Sequence, residues 1–203
     1  MLAENKDEMR EKILEAALKR FMHYGASKTT MNEIADDLRC SKASLYYYFS
    51  DKKALHNAVL MKIGETFFQE QEIEADKAIS SEEIFANIIA IKKQFVERFN
   101  RLELFKILND KSEEIQQIIR SVNERETKML TKIIEKGVAS GEFDVEDPAA
   151  IAQLYREAME GLRFAGMSCV PDNIPELDKE AFDKIVAQQK LLTEIFVRGI
   201  KKR

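Results

Sequence analysis

The sequence predicts an all-α protein of about nine helices, and three observations carry that prediction. Helix-breaking residues are few, because the 203 residues include only seven Gly and three Pro. Apolar residues recur three or four positions apart along most of the chain, which is the spacing of one face of an α-helix. No segment shows the strict alternation of apolar and polar residues that is typical of a half-buried strand.

The chain up to residue 38 predicts two helices. An apolar stripe that includes Ile13 and Phe21 indicates the first helix, and Gly25 ends it, because glycine readily adopts the left-handed conformation found just beyond helices. Thr30 and Glu33 have capping-box spacing, in which the two side chains each cap the backbone amide of the other residue. A short second helix is therefore expected to start after Thr30.

A turn at Arg39 and Cys40 separates the second helix from the third. Ser41 is positioned to cap the third helix, which is again short. Asp51 then begins a long fourth helix, because apolar residues follow at every fourth position as far as Phe67.

Five further helices are predicted between residues 80 and 200. Asp147 and Pro148 form the clearest start, because Asp caps the helix and the missing amide of Pro costs nothing at the first helical position. Asn123 marks a candidate break in the seventh helix, which Gly141 ends. Residues typical of the five helices are, in chain order, Ile84, Leu102, Ile133, Tyr155 and Leu192.

Composition and charge exclude several classes of protein. An apolar fraction of 45%, with 32 basic and 36 acidic residues, argues against a long disordered chain. No apolar run approaches the roughly 18 residues that indicate a membrane span, and the charged first residues do not resemble a signal peptide. With only two cysteines, Cys40 and Cys169, the protein is expected in the cytoplasm. The net charge is −4, but the first 62 residues carry 11 basic and 9 acidic side chains, which does not exclude a local basic face.

The second and third predicted helices, joined by a short turn, have the arrangement of a helix-turn-helix motif. In this motif the later helix enters a DNA major groove while the earlier helix crosses the backbone. The segments that carry it are TTMNEIA at 29–35, CSKASLYYYF at 40–49 and DKKAL at 51–55. In type, order and spacing they resemble the N-terminal domain of tetracycline-repressor-type (TetR family) transcriptional regulators. The segment GVASGEF at 137–143 is similar to part of that family's regulatory domain.

The resemblance implies both an organisation and a function. A helix-turn-helix DNA-binding domain is expected at residues 1–50, linked by a long helix at about 51–75, with a ligand-binding and dimerisation domain at 51–203. The implied function is that of a ligand-responsive transcriptional regulator, most often a repressor, which binds a palindromic operator as a homodimer and is released by a small apolar ligand. Arg39 occupies a position where the family commonly has glycine, so a strained positive φ is expected there.

Nine residues are candidate DNA contacts, because their chemistry suits phosphates or base edges. Lys42 can pair with a phosphate or donate to guanine O6 and N7, and the sequence does not choose between these. Tyr46 and Tyr47 combine an apolar ring with a hydroxyl that can reach a phosphate, although such an aromatic run is also typical of packing. Ala43 is small enough to meet a thymine methyl group. The full set is Thr30, Asn32, Ser41, Lys42, Ala43, Ser44, Tyr46, Tyr47 and Lys52.

Aromatic and methionine side chains offer a lining for the effector pocket that the resemblance implies. Such residues are more often core than ligand contacts, because helix packing demands the same spacing. Both interpretations stay open for the candidates, which are Phe67, Phe95, Phe99, Phe105, Met129, Tyr155 and Met159.

The last two predicted helices carry apolar stripes that suit the implied homodimer interface. The alternative is that both stripes face the core of the monomer, since core helices show the same pattern. The stripes consist of Ile151, Tyr155, Ala158 and Leu162 on one helix, and of Ile185, Gln189, Leu192 and Phe196 on the other.

Two other classes of function fit the sequence less well. An enzyme is not indicated, because the chain has no Gly-rich phosphate loop, no His-Glu-x-x-His motif and no visible nucleophile–base pair. His23 and His56 lack metal-ligand spacing, so no metal or other cofactor is expected. A helical adaptor that has lost DNA binding is disfavoured by the presence of Lys42, Tyr46 and Lys52. The expected partners are therefore operator DNA, a small-molecule effector and a second copy of the chain, without a membrane.

Overall fold

The structure, a computed structural model, describes residues 2–99, 102, 112–167 and 179–203. These residues form eight α-helices and no β-strand, so the all-α prediction is confirmed. The predicted helix around Phe105 lies outside the described residues. Among the described helices, none combines the length and the apolar content that a membrane crossing needs. The helices are α1 (Leu2–Tyr24), α2 (Met31–Asp37), α3 (Lys42–Tyr48), α4 (Lys52–Ala75), α5 (Ser81–Phe99), α6 (Glu113–Ala139), α7 (Pro148–Met167) and α8 (Lys179–Ile200).

The described chain forms two compact units, and each has its own apolar core. The first unit comprises the residues up to Phe67 together with Phe99 and Leu102, and the second comprises Phe68–Arg98 and the described residues from 112 onward. The dividing point lies within α4, the helix that the sequence predicts to link two domains. In the first unit α1 packs against α2, and α2 against α3. The core of this unit includes Ile13, Leu14, Phe21, Ile34, Leu45, Phe49 and Leu55.

Predicted capping residues mark helix ends in both units. At the start of α4, Asp51 Oδ1 accepts a hydrogen bond of 2.7 Å from the amide of Ala54. Before α7, Asp147 Oδ1 accepts one of 3.0 Å from the amide of Ala150. Gly25 follows α1 with a φ of 87°, in the left-handed region that favours glycine. Local hydrogen bonding therefore fixes these boundaries, because the end groups of a helix lack partners inside it.

The second unit packs α6 against α7 and α7 against α8 around an aromatic cluster. The ring centroid of Phe85 lies 5.3 Å from that of Tyr155 and 5.7 Å from that of Phe196. Gly166 permits a close approach of α7 and α8, because a Cβ at this position would lie 2.3 Å from Cγ1 of Ile185. Packing of these helices therefore depends on the absence of a side chain at residue 166.

Helix α6 and the turn after it help to fix the start of α5. α6 runs without a break through Asn123, so the candidate break there is wrong. The reason is that apolar residues keep helical spacing on both sides of Asn123.

Beyond α6, the carboxylate of Glu142 accepts hydrogen bonds of 2.8 Å from the amides of both Ser81 and Glu82. A residue distant in sequence therefore caps the first turn of α5.

Candidate nucleic-acid interface

Helix α2 begins with the capping box that the sequence predicts. The amide of Glu33 donates to Thr30 Oγ1 at 3.3 Å, and the amide of Thr30 donates to Glu33 Oε2 at 2.8 Å. These backbone and hydroxyl hydrogen bonds from Thr30 lower the pKa of Glu33. Thr30 therefore uses its hydroxyl locally while its side chain stays exposed at the start of α2.

The turn between α2 and α3 contains the positive φ that was expected at Arg39, and the value is 51°. The amide of Cys40 donates to the carbonyl of Ala35, and the amide of Arg39 to that of Asp36, both at 3.0 Å. This pair of bonds is a Schellman motif, in which one left-handed residue lets the chain leave the helix sharply. The turn places Ser41 at the start of α3.

Helix α3 has one buried face and one exposed face. Ser41 Oγ accepts the amide of Ser44 at 3.1 Å, which confirms Ser41 as the N-cap. Leu45 is fully buried and Phe49 is only 5% exposed, so these side chains anchor α3 in the core. On the opposite face, Tyr47 is 69% exposed. The exposed members of the predicted contact set are Thr30, Asn32, Ser41, Lys42, Ala43, Tyr46 and Tyr47.

Ser44 and Lys52, the remaining two members of that set, are half-buried. The ammonium of Lys52 donates to the carbonyl oxygen of Ser27 at 3.0 Å, which ties the first turn of α4 to the loop before α2. An ammonium has three donors, so this bond leaves capacity for a phosphate. The structure thus gives Lys52 a positioning contact that sequence analysis did not predict.

Arg20 pairs with two of the three carboxylates that α2 carries. The guanidinium of Arg20 donates to Asp37 through Nε at 2.5 Å and through a terminal nitrogen at 3.0 Å, and it also lies 3.4 Å from Glu33. This pairing offsets two carboxylates on the helix that would cross a DNA backbone. On α3, Nζ of Lys42 lies 5.7 Å from the ring centroid of Tyr46, on the exposed face.

Two further cations reach α3 and the residue after it from α1, and sequence analysis did not predict them. Nζ of Lys6 lies 5.1 Å from the ring centroid of Tyr47, and Cζ of Arg10 lies 5.3 Å from that of Phe49. The sequence signal that could have found them is a pair of basic residues four positions apart, which share one face of a helix.

The described members of the predicted pocket set belong to both units. Phe67 and Phe99 belong to the first unit, whereas Phe95 is a half-buried residue of the second. Met129, Tyr155 and Met159 lie together in the core of the second unit. Phe105 lies outside the described residues.

The predicted dimer stripes on α7 and α8 are partly internal to the second unit. Tyr155 is 3% exposed and Ile185 is 4% exposed. The hydroxyl groups of Tyr155 and Thr193 share a hydrogen bond of 2.7 Å. For Tyr155 and Ile185, the alternative that the stripe faces the monomer core fits the structure. The other members of the set are half-buried, namely Ile151, Ala158, Leu162, Gln189, Leu192 and Phe196.

The sequence matches two profiles of known protein families. Residues 13–59 match the family profile described as bacterial regulatory proteins, tetR family, and residues 82–186 match the profile described as tetracyclin repressor-like, C-terminal domain. The second match alone spans more than half of the chain. The HTH-type transcriptional regulator YfiR of Bacillus subtilis is 23% identical over 168 residues, which cover 78% of this chain and 80% of YfiR.

Solved structures show the same fold over nearly the whole chain. A transcriptional regulator from Cytophaga hutchinsonii gives a TM-score of 0.85 at 27% identity, covering 95% of this chain and 98% of that chain. A transcriptional regulator from Saccharomonospora viridis, solved in complex with choline, gives a TM-score of 0.66 at 17% identity, covering 97% of this chain and 100% of that chain. Together with the two profile matches, these findings show that the chain belongs to the TetR family of bacterial transcriptional regulators.

Proposed function

We propose that the protein is a ligand-responsive repressor that binds a palindromic operator as a homodimer and is released by a small, mostly apolar effector. The observation that carries this proposal is α3, which is anchored by Leu45 and exposes Lys42, Tyr46 and Tyr47 on its outer face. A helix anchored in this way can lie in a major groove while α2 crosses the backbone.

Each exposed group on α3 has a chemistry that suits DNA. The Lys42 ammonium can pair with a phosphate or donate to guanine, and the hydroxyls of Tyr46 and Tyr47 can donate to phosphate oxygens. Ala43 presents a methyl group to thymine, and Lys52 adds a phosphate contact from α4. These roles are assigned by exposure and chemistry together, because a buried lysine or tyrosine could not reach a duplex.

Dimerisation is supported by apolar side chains that α7 and α8 leave exposed. Leu154, Leu191 and Ile195 are 60%, 57% and 58% exposed, respectively. A second copy would bury them and would present two α3 helices to half-sites about 34 Å apart, or multiples of that spacing. Two half-sites are needed because one short helix reads too few base pairs for tight specificity.

The proposed response to an effector is a two-state one. Effector binding favours a position of α4 in which the two α3 helices no longer match successive major grooves, so operator affinity falls by the difference in effector affinity between the two states. The Saccharomonospora viridis regulator, which has a similar fold, was solved in complex with choline. That complex supports the proposal that a protein of this fold can bind a small-molecule effector. An effector that bound tightly and left operator affinity unchanged would contradict the coupling.

Selection of bound sites from random duplex DNA with the purified protein tests the proposal as a whole. The expected outcome is enrichment of an inverted repeat, which would establish binding, symmetry and half-site spacing in one experiment. Failure to enrich any duplex, even at low ionic strength, would overturn the proposal.

Variants of α3 separate a regulator from a helical adaptor that has lost DNA binding. Lys42→Ala and Tyr47→Ala are expected to weaken operator binding while the dimer and the helical content stay intact, because both side chains are exposed. Lys19→Ala, which removes an exposed cation of α1, is the matched control and should bind as the wild type does. Unchanged binding by both α3 variants would favour the adaptor.

A further inference from the structure

The first turns of α1 bring two cations to the exposed side of the helix-turn-helix unit. Nζ of Lys6 lies 5.1 Å from the ring centroid of Tyr47, which is on α3, and Cζ of Arg10 lies 5.3 Å from the ring centroid of Phe49, which directly follows α3. Lys6 and Arg10 are four residues apart, so they share one face of α1. That face of α1 therefore meets the outer face of α3 at Tyr47 and the buried end of α3 at Phe49.

Both cations remain open to solvent. Lys6 is exposed, and the Arg10 side chain is 47% exposed with Glu11 at 4.0 Å, the outer limit of an ion pair. Glu11 is held more closely by Lys62, at 2.5 Å. The Arg10 guanidinium is therefore accessible to a ligand, and its contact with Glu11 is a long one.

Lys12, on the same helix, provides a direct contrast. Its ammonium donates to Glu8 at 2.9 Å, four residues earlier, and this contact lowers the pKa of Glu8. The charge of Lys12 is thus offset locally, whereas Lys6 and Arg10 have aromatic rings as neighbours. An aromatic ring attracts a cation without cancelling its charge.

Aromatic contacts of this kind prepare a flexible side chain for binding a phosphate. A long side chain loses rotamer freedom when it contacts a ligand, and a ring that already restrains it reduces that loss. An ammonium or guanidinium above a ring also keeps donors that do not point at the ring. Because Tyr47 is 69% exposed, a duplex lying against α3 passes beside Lys6.

We propose that Lys6 and Arg10 extend the DNA-binding surface by contacting backbone phosphates that flank the groove read by α3. This inference rests on the proposed function. The contacts are independent of base sequence, so they raise affinity for every duplex and position the protein without adding specificity. The competing explanation is that the two cation–ring contacts only stabilise the packing of α1.

The dependence of operator affinity on salt separates these explanations. Each phosphate contact releases counterions and contributes about −0.9 to the slope of log K against log salt concentration. Lys6→Ala and Arg10→Ala are each expected to make this negative slope shallower by about 0.9, and to lower affinity roughly eightfold at 0.1 M salt. Lys6→Arg should restore the wild-type slope, and the ratio of affinities for operator and unrelated DNA should stay constant in all variants.

Lys12→Ala is the matched control, because it removes a cation that Glu8 already pairs. Its slope should equal that of the wild type, and circular dichroism should show equal helical content for all variants. If the wild type bound the operator and the Lys6 and Arg10 variants kept its slope, this inference would be overturned while the proposed function survived. If the wild type bound no duplex at all, the proposed function would fail first, and the inference with it.

Discussion

The turn before α3 shows how one residue can carry backbone strain that its neighbours maintain. Arg39 is the one non-glycine residue with a positive φ among those described, at 51°. For an L-residue this conformation costs about 1–2 kcal/mol relative to the right-handed region. The conformation persists because the amides of Arg39 and Cys40 both reach carbonyls of α2. The strain is local, and glycine would relieve it.

Arg39→Gly is therefore expected to raise the free energy of unfolding by about 0.5–1 kcal/mol, since part of the relief is lost to the greater freedom of glycine in the unfolded chain. Urea denaturation of the purified protein measures the change. Arg39→Ala is the control, because it removes the same side chain and keeps the strain. Equal stabilities of the Gly and Ala variants would contradict a strained turn.

The contact between Arg20 and Asp37 predicts sensitivity to acid. The hydrogen bond from Arg20 lowers the pKa of Asp37 below its ordinary value. A carboxyl with a lowered folded pKa contributes stability above its unfolded pKa of about 3.9 and loses that contribution as the pH falls through the folded value. We expect Asp37→Asn to reduce the dependence of unfolding free energy on pH below about pH 4. Asp36→Asn, at an exposed neighbour on α2, is the control, because it removes a carboxylate and leaves the contact between Arg20 and Asp37 in place.

At the scale of helices, ends are fixed both by neighbouring residues and by distant ones. Thr30, Ser41 and Asp51 each cap a helix that starts at the next residue, so their roles follow from local sequence. Glu142 instead caps α5 from about 60 residues away, with both carboxylate oxygens at 2.8 Å from backbone amides. A charged acceptor at this position also suits the positive end of the helix dipole.

Glu142→Ala is expected to lower the free energy of unfolding by about 1–2 kcal/mol, because two amides at the start of α5 lose a charged acceptor. Thermal or urea denaturation, with α-helical content as the signal, measures the loss. Glu146→Ala removes an exposed carboxylate from the same connection between α6 and α7 and is expected to change stability by less than about 0.5 kcal/mol. Equal effects of the two substitutions would argue against the cap.

For the molecule as a whole, the exposed apolar residues of α7 and α8 predict an association of two chains. Replacing Leu191 and Ile195 together by Lys is expected to give a folded monomer, because two charges would then have to be buried in the interface. Sedimentation velocity measures the assembly. Operator affinity should fall, because the two helix-turn-helix units are no longer linked and each binds its half-site independently. Ile73→Lys changes a side chain that is 66% exposed on α4, and this control should stay dimeric. A dimeric double variant would place the interface elsewhere.

Sequence reasoning predicted the fold class, the capping residues and the exposed face of α3. It succeeded at these points because a cap joins residues three positions apart, and because Tyr47, two positions after the buried Leu45, lies on the opposite side of the helix. It did not determine that Tyr155 is buried while its neighbour Leu154 is exposed. Adjacent residues on a helix point about 100° apart, and the partner helix determines which of them is buried.

The amino-acid sequence by itself determined the order of the helices, the local caps at Thr30, Ser41, Asp51 and Asp147, and the helix-turn-helix motif, since each depends on interactions within about one turn of helix. Tertiary structure alone decided which distant groups meet. It placed Leu102 fully buried in the first unit, with its carbonyl accepting a hydrogen bond of 2.9 Å from Nε2 of His56, and it brought Lys6 beside Tyr47. Such contacts follow from how helices pack around a core, and the spacing of residues along one helix carries no information about its neighbours.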